Sequence, residues 1–200
     1  MLNIYGVTQD PETKEYIIVM QYANNGSLSS YLGHNINKLT WKMKLEHLMD
    51  IAAYLSNIHN VGLVHCDLHS GNIVLHDGND KMSPFICDLG LSRPVGSRES
   101  TVRGVLPFIA PEVFHTGKFT QKSDIYSFGI IMYLIATGEP PFRDREFDAS
   151  FICEIMGGLR PSMPDSVPEE YKKLAKQCCD ADPDECHDAE TLWRNISRLL

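Results

Sequence analysis

The chain has 200 residues, enough for one large domain or the major part of a two-lobed one, and its 43% hydrophobic content can fill a sizeable core. With 18 Lys and Arg against 26 Asp and Glu, the formal net charge is −8, which argues against nucleic acid and against an anionic membrane surface as partner. No signal peptide is expected at the start, and the longest apolar stretch, 125–136, is too short to span a bilayer and is interrupted by Ser127 and Gly129.

In chain order, the β-prone run Tyr16 to Met20 lies behind the turn-like Asp10-Pro11 and predicts a hairpin with 2–7. Asn24-Asn25-Gly26 breaks the strand, and Ser27 can cap a short helix through Leu32. Thr40 precedes an amphipathic helix whose apolar positions Trp41, Leu45, Leu48, Ala52, Leu55 and Ile58 recur at helical spacing, with Gly62 as the stop. Short strands are expected at 73–75 and 85–87 across the turn-forming segment 77–80. Residues 88–112 lack periodicity and read as a loop. An apolar helix should start at Ser123 or Asp124 and run to Thr137, closed by Gly138 with Pro140-Pro141 beyond. Three further helices are expected at 147–156, 168–179 and 188–200, the second with Tyr171, Leu174, Ala175 and Cys178 as its buried stripe.

The six cysteines sit mostly in apolar periodic segments, which fits reduced thiols in a cytoplasmic protein. Cys178, Cys179, Cys186 and His187 invite a metal reading. Adjacent helical cysteines diverge by about 100°, however, so they suit one tetrahedral ion poorly and a core role is favoured.

The stretch that carries chemistry is His65-Cys66-Asp67-Leu68-His69-Ser70-Gly71-Asn72. It is followed by Asp88-Leu89-Gly90, then Ala110-Pro111-Glu112, then Asp124 at the head of the apolar helix. Phosphoryl transfer requires a carboxylate to orient a hydroxyl nucleophile, oxygen donors for Mg²⁺ and fixed geometry. Any one of these Asp residues alone would read as a turn or cap. A buried carboxylate such as Asp124 must be hydrogen-bonded, because an unsatisfied buried group costs roughly 1–3 kcal/mol.

The four ordered landmarks resemble the catalytic loop, magnesium loop, activation-segment end and central helix of a eukaryotic protein kinase, and the likeness runs along the whole chain. The style of Asp67 to Asn72 and of Gly138-Glu139-Pro140-Pro141-Phe142 is similar to the tyrosine-kinase-like group, most of whose members phosphorylate Ser or Thr. The resemblance implies an α+β, protein-kinase-like fold, with residues 1–23 as the end of the small lobe and the hinge, and 24–200 as the large lobe. It implies catalytic roles for Asp67, Asn72 and Asp88, with Asn72 and Asp88 holding Mg²⁺. It places Met20, Gln21, Ala23 and Val74 against the adenine of ATP, with Met20 as gatekeeper, the backbone of Gln21 and Ala23 as hydrogen-bonding groups, and Ile131 and Ile135 beneath Val74. Asp124 would tie down the backbone near His65. The expected function is transfer of the ATP γ-phosphoryl group to a Ser or Thr hydroxyl of a protein substrate in signalling.

The sequence also departs from the family pattern. It opens near the fourth small-lobe strand and contains no G-x-G-x-x-G, so the 200 residues alone are expected to transfer phosphate slowly or not at all. Cys66 replaces the Arg that receives an activation-loop phosphate, so control through Ser92, Ser97, Ser100 or Thr101 is not expected to use the usual charge pairing. His69 and Val105 stand where a Lys and a Thr are usual, and a His supplies a cation there only when protonated. Cys186 stands where an Arg normally pairs with Glu112, and a buried, unpaired Glu112 would cost about 3–5 kcal/mol. The alternative to an active enzyme is a catalytically dead pseudokinase or truncated paralogue that acts as a binding module.

Overall fold

The computed structural model of the chain describes residues 2–78, 82–97 and 102–200. Ser100 and Thr101, and half of the expected turn at 77–80, lie outside them.

The body is built on two long helices. Helix α2 (Trp41–Asn60) starts where the Thr40 hydroxyl accepts the Met43 N–H at 3.3 Å, and its stripe Leu45, Leu48, Ile51, Ala52, Leu55 and Ile58 is buried. Helix α4 (Gln121–Thr137) is apolar on every side and buried almost throughout, as expected of a core helix. Each Leu or Ile buried this way contributes roughly 1.5–3 kcal/mol. Helix α4 begins earlier than the sequence suggests, because Thr120 and Ser123 form a reciprocal capping box that places Gln121 and Lys122 in the first turn. It ends at Gly138, in the left-handed conformation.

The other helices pack around this pair. They are α1 (Leu28–Asn35), capped by Ser27; α3 (Pro111–Thr116); α5 (Ala149–Met156), capped by Asp148; α6 (Glu169–Cys178); and α7 (Ala189–Ser197), capped by Asp188. Helix α2 packs on α7, and α4 packs on α6. The α4–α6 approach depends on Gly129, since a Cβ there would lie 2.4 Å from the Cys179 sulfur. Tyr171 of α6 ties the same layer together, donating to the Met132 carbonyl at 2.7 Å with its ring edge-on to Trp41. Lys44, buried on α2, donates to the Ala136 carbonyl at 2.8 Å and so occupies the C-terminal end of α4. Burial lowers its pKa.

Among the described residues the strands pair two by two. β1 (Ile4–Gln9) and β2 (Tyr16–Met20) form an antiparallel hairpin, with Ile4 opposite Met20 and Gln9 opposite Tyr16. Every residue of both strands is exposed. β3 (Leu63–Val64) pairs with β6 (Arg93–Pro94), and β4 (Ile73–Asp77) pairs with β5 (Met82–Ile86). The segment expected to be a loop from 88 to 112 thus contains β6, a 3-10 turn at Leu106–Phe108 and the start of α3. These elements are too short for a periodic signal, and Pro111 at the first helical position is the one local cue for α3. Among the described residues no helix is long and apolar enough to cross a membrane.

Candidate active site

The loop from His65 to Asn72 leaves β3 and enters β4, and its shape is fixed from beneath by α4. Asp124, one turn into that helix, accepts the His65 N–H at 2.8 Å and the Cys66 N–H at 3.1 Å, while His59 Nε2 donates to it at 2.9 Å. Its side chain is 2% exposed, so this buried carboxylate is satisfied by three donors. Gln121, one turn earlier on the same face, donates to the His59 carbonyl at 2.8 Å and the Leu63 carbonyl at 3.3 Å. The reason for this investment is local. Cys66 has φ +68°, a left-handed conformation that costs a non-glycine residue about 1–3 kcal/mol and persists only where surrounding bonds impose it. The Asp124–Cys66 bond imposes it here.

His65 lies buried under the loop. Its Nδ1 accepts the Asp67 N–H at 3.3 Å and its Nε2–H donates to the Cys87 carbonyl at 3.2 Å, which uses one acceptor and one donor of a neutral ring. Burial lowers its pKa despite the opposing pull of Asp124, Asp67 and Asp88, in keeping with that neutral state.

Asp67 follows, and Asn72 closes the loop onto it. The Asn72 amide donates to the Asp67 carbonyl at 2.9 Å and to Asp67 Oδ2 at 3.1 Å, which turns the Asn72 oxygen away from Asp67. His69 Nε2 lies 3.6 Å from the same Oδ2. The β4–β5 ladder brings in Asp88: Ile73 pairs with Ile86, and the Cys87 N–H donates to the Asn72 carbonyl at 2.9 Å. Asp88, which is exposed, also sits at positive φ, +58°, and its Oδ1 accepts the Gly90 N–H at 3.1 Å. Among the described residues neither the Asn72 amide oxygen nor Asp88 Oδ2 has a hydrogen-bond partner, and two such oxygens on adjacent loops form a donor set suited to a hard divalent cation that keeps water or phosphate as its other ligands.

The residues expected to face a base are Met20, Gln21 and Ala23 on the chain leaving β2 and Val74, the second residue of β4. Met20, 44% exposed, ends β2, and the Gln21 N–H donates to the Asn3 carbonyl at 2.8 Å, so any contact from Gln21 to a ligand falls to its carbonyl. The chain then passes Ala23 and joins β4 through Asn25 and Gly26, which pair with Leu75, and through a Ser27–Val74 bridge. Val74 is half-buried, and Ile131 and Ile135 are fully buried in α4. The chain that follows the expected hinge residues is therefore tied to β4, the strand that leads out of the Asp67–Asn72 loop.

The family described as protein tyrosine and serine/threonine kinase matches residues 1–196. This chain belongs to the protein kinase family. A Dictyostelium discoideum protein named probable serine/threonine-protein kinase roco8 is 39% identical over 181 residues, which cover 84% of this chain and 10% of the relative. Another Dictyostelium discoideum protein with a serine/threonine-protein kinase name is 33% identical over 172 residues, 84% of this chain and 16% of the relative. The chain thus spans only a small part of the length of these curated relatives.

As a kinase domain it solves one of its departures in an unusual way. Cys186, at the position expected to hold an Arg opposite Glu112, is buried and directs its sulfur to the Cys178 carbonyl at 3.5 Å, while Lys122 donates to the Cys186 carbonyl at 2.5 Å. His187 faces Gln177 rather than Glu112. Among the described residues Glu112 forms no ion pair, and burial raises its pKa, with Arg160 pulling the other way. Arg160 reaches this region from beyond α5, donating to the carbonyls of Ile155, Leu159 and Cys179 and lying 5.1 Å from the centre of the Tyr126 ring. Half-burial and a neighbouring guanidinium soften the penalty expected for an isolated buried carboxylate. Sequence reasoning missed His59, Gln121 and Arg160. Gln121 had a faint signal, since it and Asp124 sit one turn apart as polar residues heading an apolar helix.

Proposed function

We propose that this chain is the hinge and large-lobe portion of a Ser/Thr protein kinase that transfers the γ-phosphoryl group of ATP to a hydroxyl of a protein substrate. Asp67 orients the attacking hydroxyl and accepts its proton. Asn72 through its amide oxygen, and Asp88 through Oδ2, would hold Mg²⁺, which supplies neutralisation of phosphate charge. Met20, the Gln21 carbonyl, the Ala23 N–H and Val74 would bound the adenine. The carrying observation is the Asn72 amide turned onto Asp67, because it commits one end of the side chain to the catalytic carboxylate and leaves the other for a cation. The Ser/Thr naming of the relatives supports Ser/Thr specificity, and the cysteines fit a cytoplasmic setting.

The test is phosphorylation of a degenerate Ser, Thr and Tyr peptide library by the full-length protein with Mg·ATP. Label is expected on Ser or Thr and should drop by at least about a thousandfold in Asp88→Asn. Label surviving in that variant would sink the assignment. A second reading, a binding module without turnover, is favoured by Cys66 and by Glu112, which forms no ion pair among the described residues. It requires an inactive wild type that still binds its partner when Asp67 is replaced.

A further inference from the structure

The position of His69 carries an inference beyond that assignment, on which it rests. Its Nδ1 lies 3.0 Å from the Gly71 N–H. A backbone N–H can only donate, so Nδ1 is the acceptor and, in the neutral ring, the proton is on Nε2. That Nε2–H faces Asp67 Oδ2 at 3.6 Å, with the two side chains 18% and 17% exposed. The ring also lies tilted against that of Phe108, 6.0 Å away between centroids. Gly71 is part of the same arrangement: a Cβ there would lie 2.7 Å from His69 Cε1 and 2.9 Å from Nδ1, so any side chain would push the ring off its seat.

The consequence falls on Asp67. Oδ2 is engaged by Asn72 and faced by His69, while Oδ1 lies toward Gly104, only 3.3 Å from where a Cβ at that residue would be. We propose that His69 is a positioning residue for Asp67: through Nε2–H it holds the Oδ2 side of the carboxylate, so that Oδ1 is the oxygen presented to the acceptor hydroxyl in front of Gly104. In the transfer, the hydroxyl oxygen forms a bond to the γ-phosphorus of Mg·ATP, the bond from that phosphorus to the ADP oxygen breaks, and the hydroxyl proton passes to Asp67 Oδ1 and on to solvent. A carboxylate free to rotate would present either oxygen at the wrong angle, which lowers turnover without weakening nucleotide binding.

Two conservative variants separate this role from a merely structural one. His69→Asn keeps an acceptor for the Gly71 N–H but cannot reach Asp67. His69→Gln keeps a donor of the right reach for Asp67 but gives up the Gly71 bond. In the full-length protein, His69→Gln should hold kcat within about twofold of wild type, while His69→Asn should lose about tenfold in kcat with KM for ATP unchanged. The reverse order, or equal losses, would overturn the proposal. An activity-independent arm uses nitrogen NMR of the histidine-labelled protein. The wild type is expected to show His69 protonated on Nε2, with that nitrogen's shift moving in Asp67→Asn. Protonation on Nδ1, or a shift indifferent to Asp67, would refute the positioning role. A wild type that phosphorylates nothing would instead count against the kinase assignment, and the NMR arm would still decide the role of His69.

Discussion

Helix α4 and the β1–β2 hairpin are comparably apolar in sequence, yet α4 is buried almost from end to end while the hairpin leaves Ile4, Val7, Tyr16 and Ile18 more than 60% exposed. Both satisfy their backbones, one through helical bonds and the other through a two-stranded ladder. The difference is what surrounds them. Helix α4 is contacted by α2, α6, β3 and the 106–108 turn, whereas the hairpin touches the body chiefly through the chain that leaves Met20. Apolar content is a capacity for burial, and neighbours decide whether it is used. A lone two-stranded hairpin is marginal in water, while a helix enclosed on all sides can support strained functional backbone, as α4 does at Cys66.

The sharpest break of that comparison is Asp124→Ala. It removes the acceptor of two buried loop N–H groups and of His59, so the domain should lose about 3–5 kcal/mol in urea unfolding. An unchanged midpoint would mean that the loop, and not α4, sets its own shape.

A smaller effect should come from Glu112, beside α4. Its folded-state pKa is raised above the ordinary 4.5 by burial, so the native state binds the proton more tightly than the unfolded chain. Its contribution to stability is therefore greatest below that ordinary value and is lost as pH rises through the folded pKa. Glu112→Gln should accordingly be the more stable protein at pH 7, by about 1 kcal/mol or less, with the advantage gone in the most acidic samples. A variant less stable than wild type at pH 7 would show that attraction to Arg160 outweighs desolvation.

The weakest effect belongs to the hairpin. Ile18→Thr should move the unfolding midpoint of the domain by less than about 0.5 kcal/mol, since an exposed β-branched residue is exchanged for another. Hydrogen exchange should find the amides of β1 and β2 opening far more readily than those of α4. Protection equal to that of α4 would mean that the hairpin is as firmly held as the core helix.

The chemistry-bearing part of the fold was legible because it is written in short, ordered segments. The catalytic-loop, Asp88 and Ala110-Pro111-Glu112 signals each lie in a handful of adjacent residues, and the long helices announce themselves through periodic apolar positions and capping residues such as Thr40 and Asp188. The start of α4 was misplaced because Thr120 and Ser123 form a capping box within a polar stretch, where apolar spacing has nothing to count.

Sequence alone determined the fold class and the family resemblance and singled out Asp67, Asn72, Asp88 and Asp124 as candidates, since those depend on local spacing and on residue chemistry. Only the tertiary structure decided that His59 and Gln121 brace the loop with Asp124, that Arg160 approaches Glu112, and that Asp67 has one oxygen engaged by Asn72 and the other toward Gly104. These pairings join residues far apart along the chain, and their partners are set by helix packing and by backbone conformations at positive φ that no residue pattern specifies.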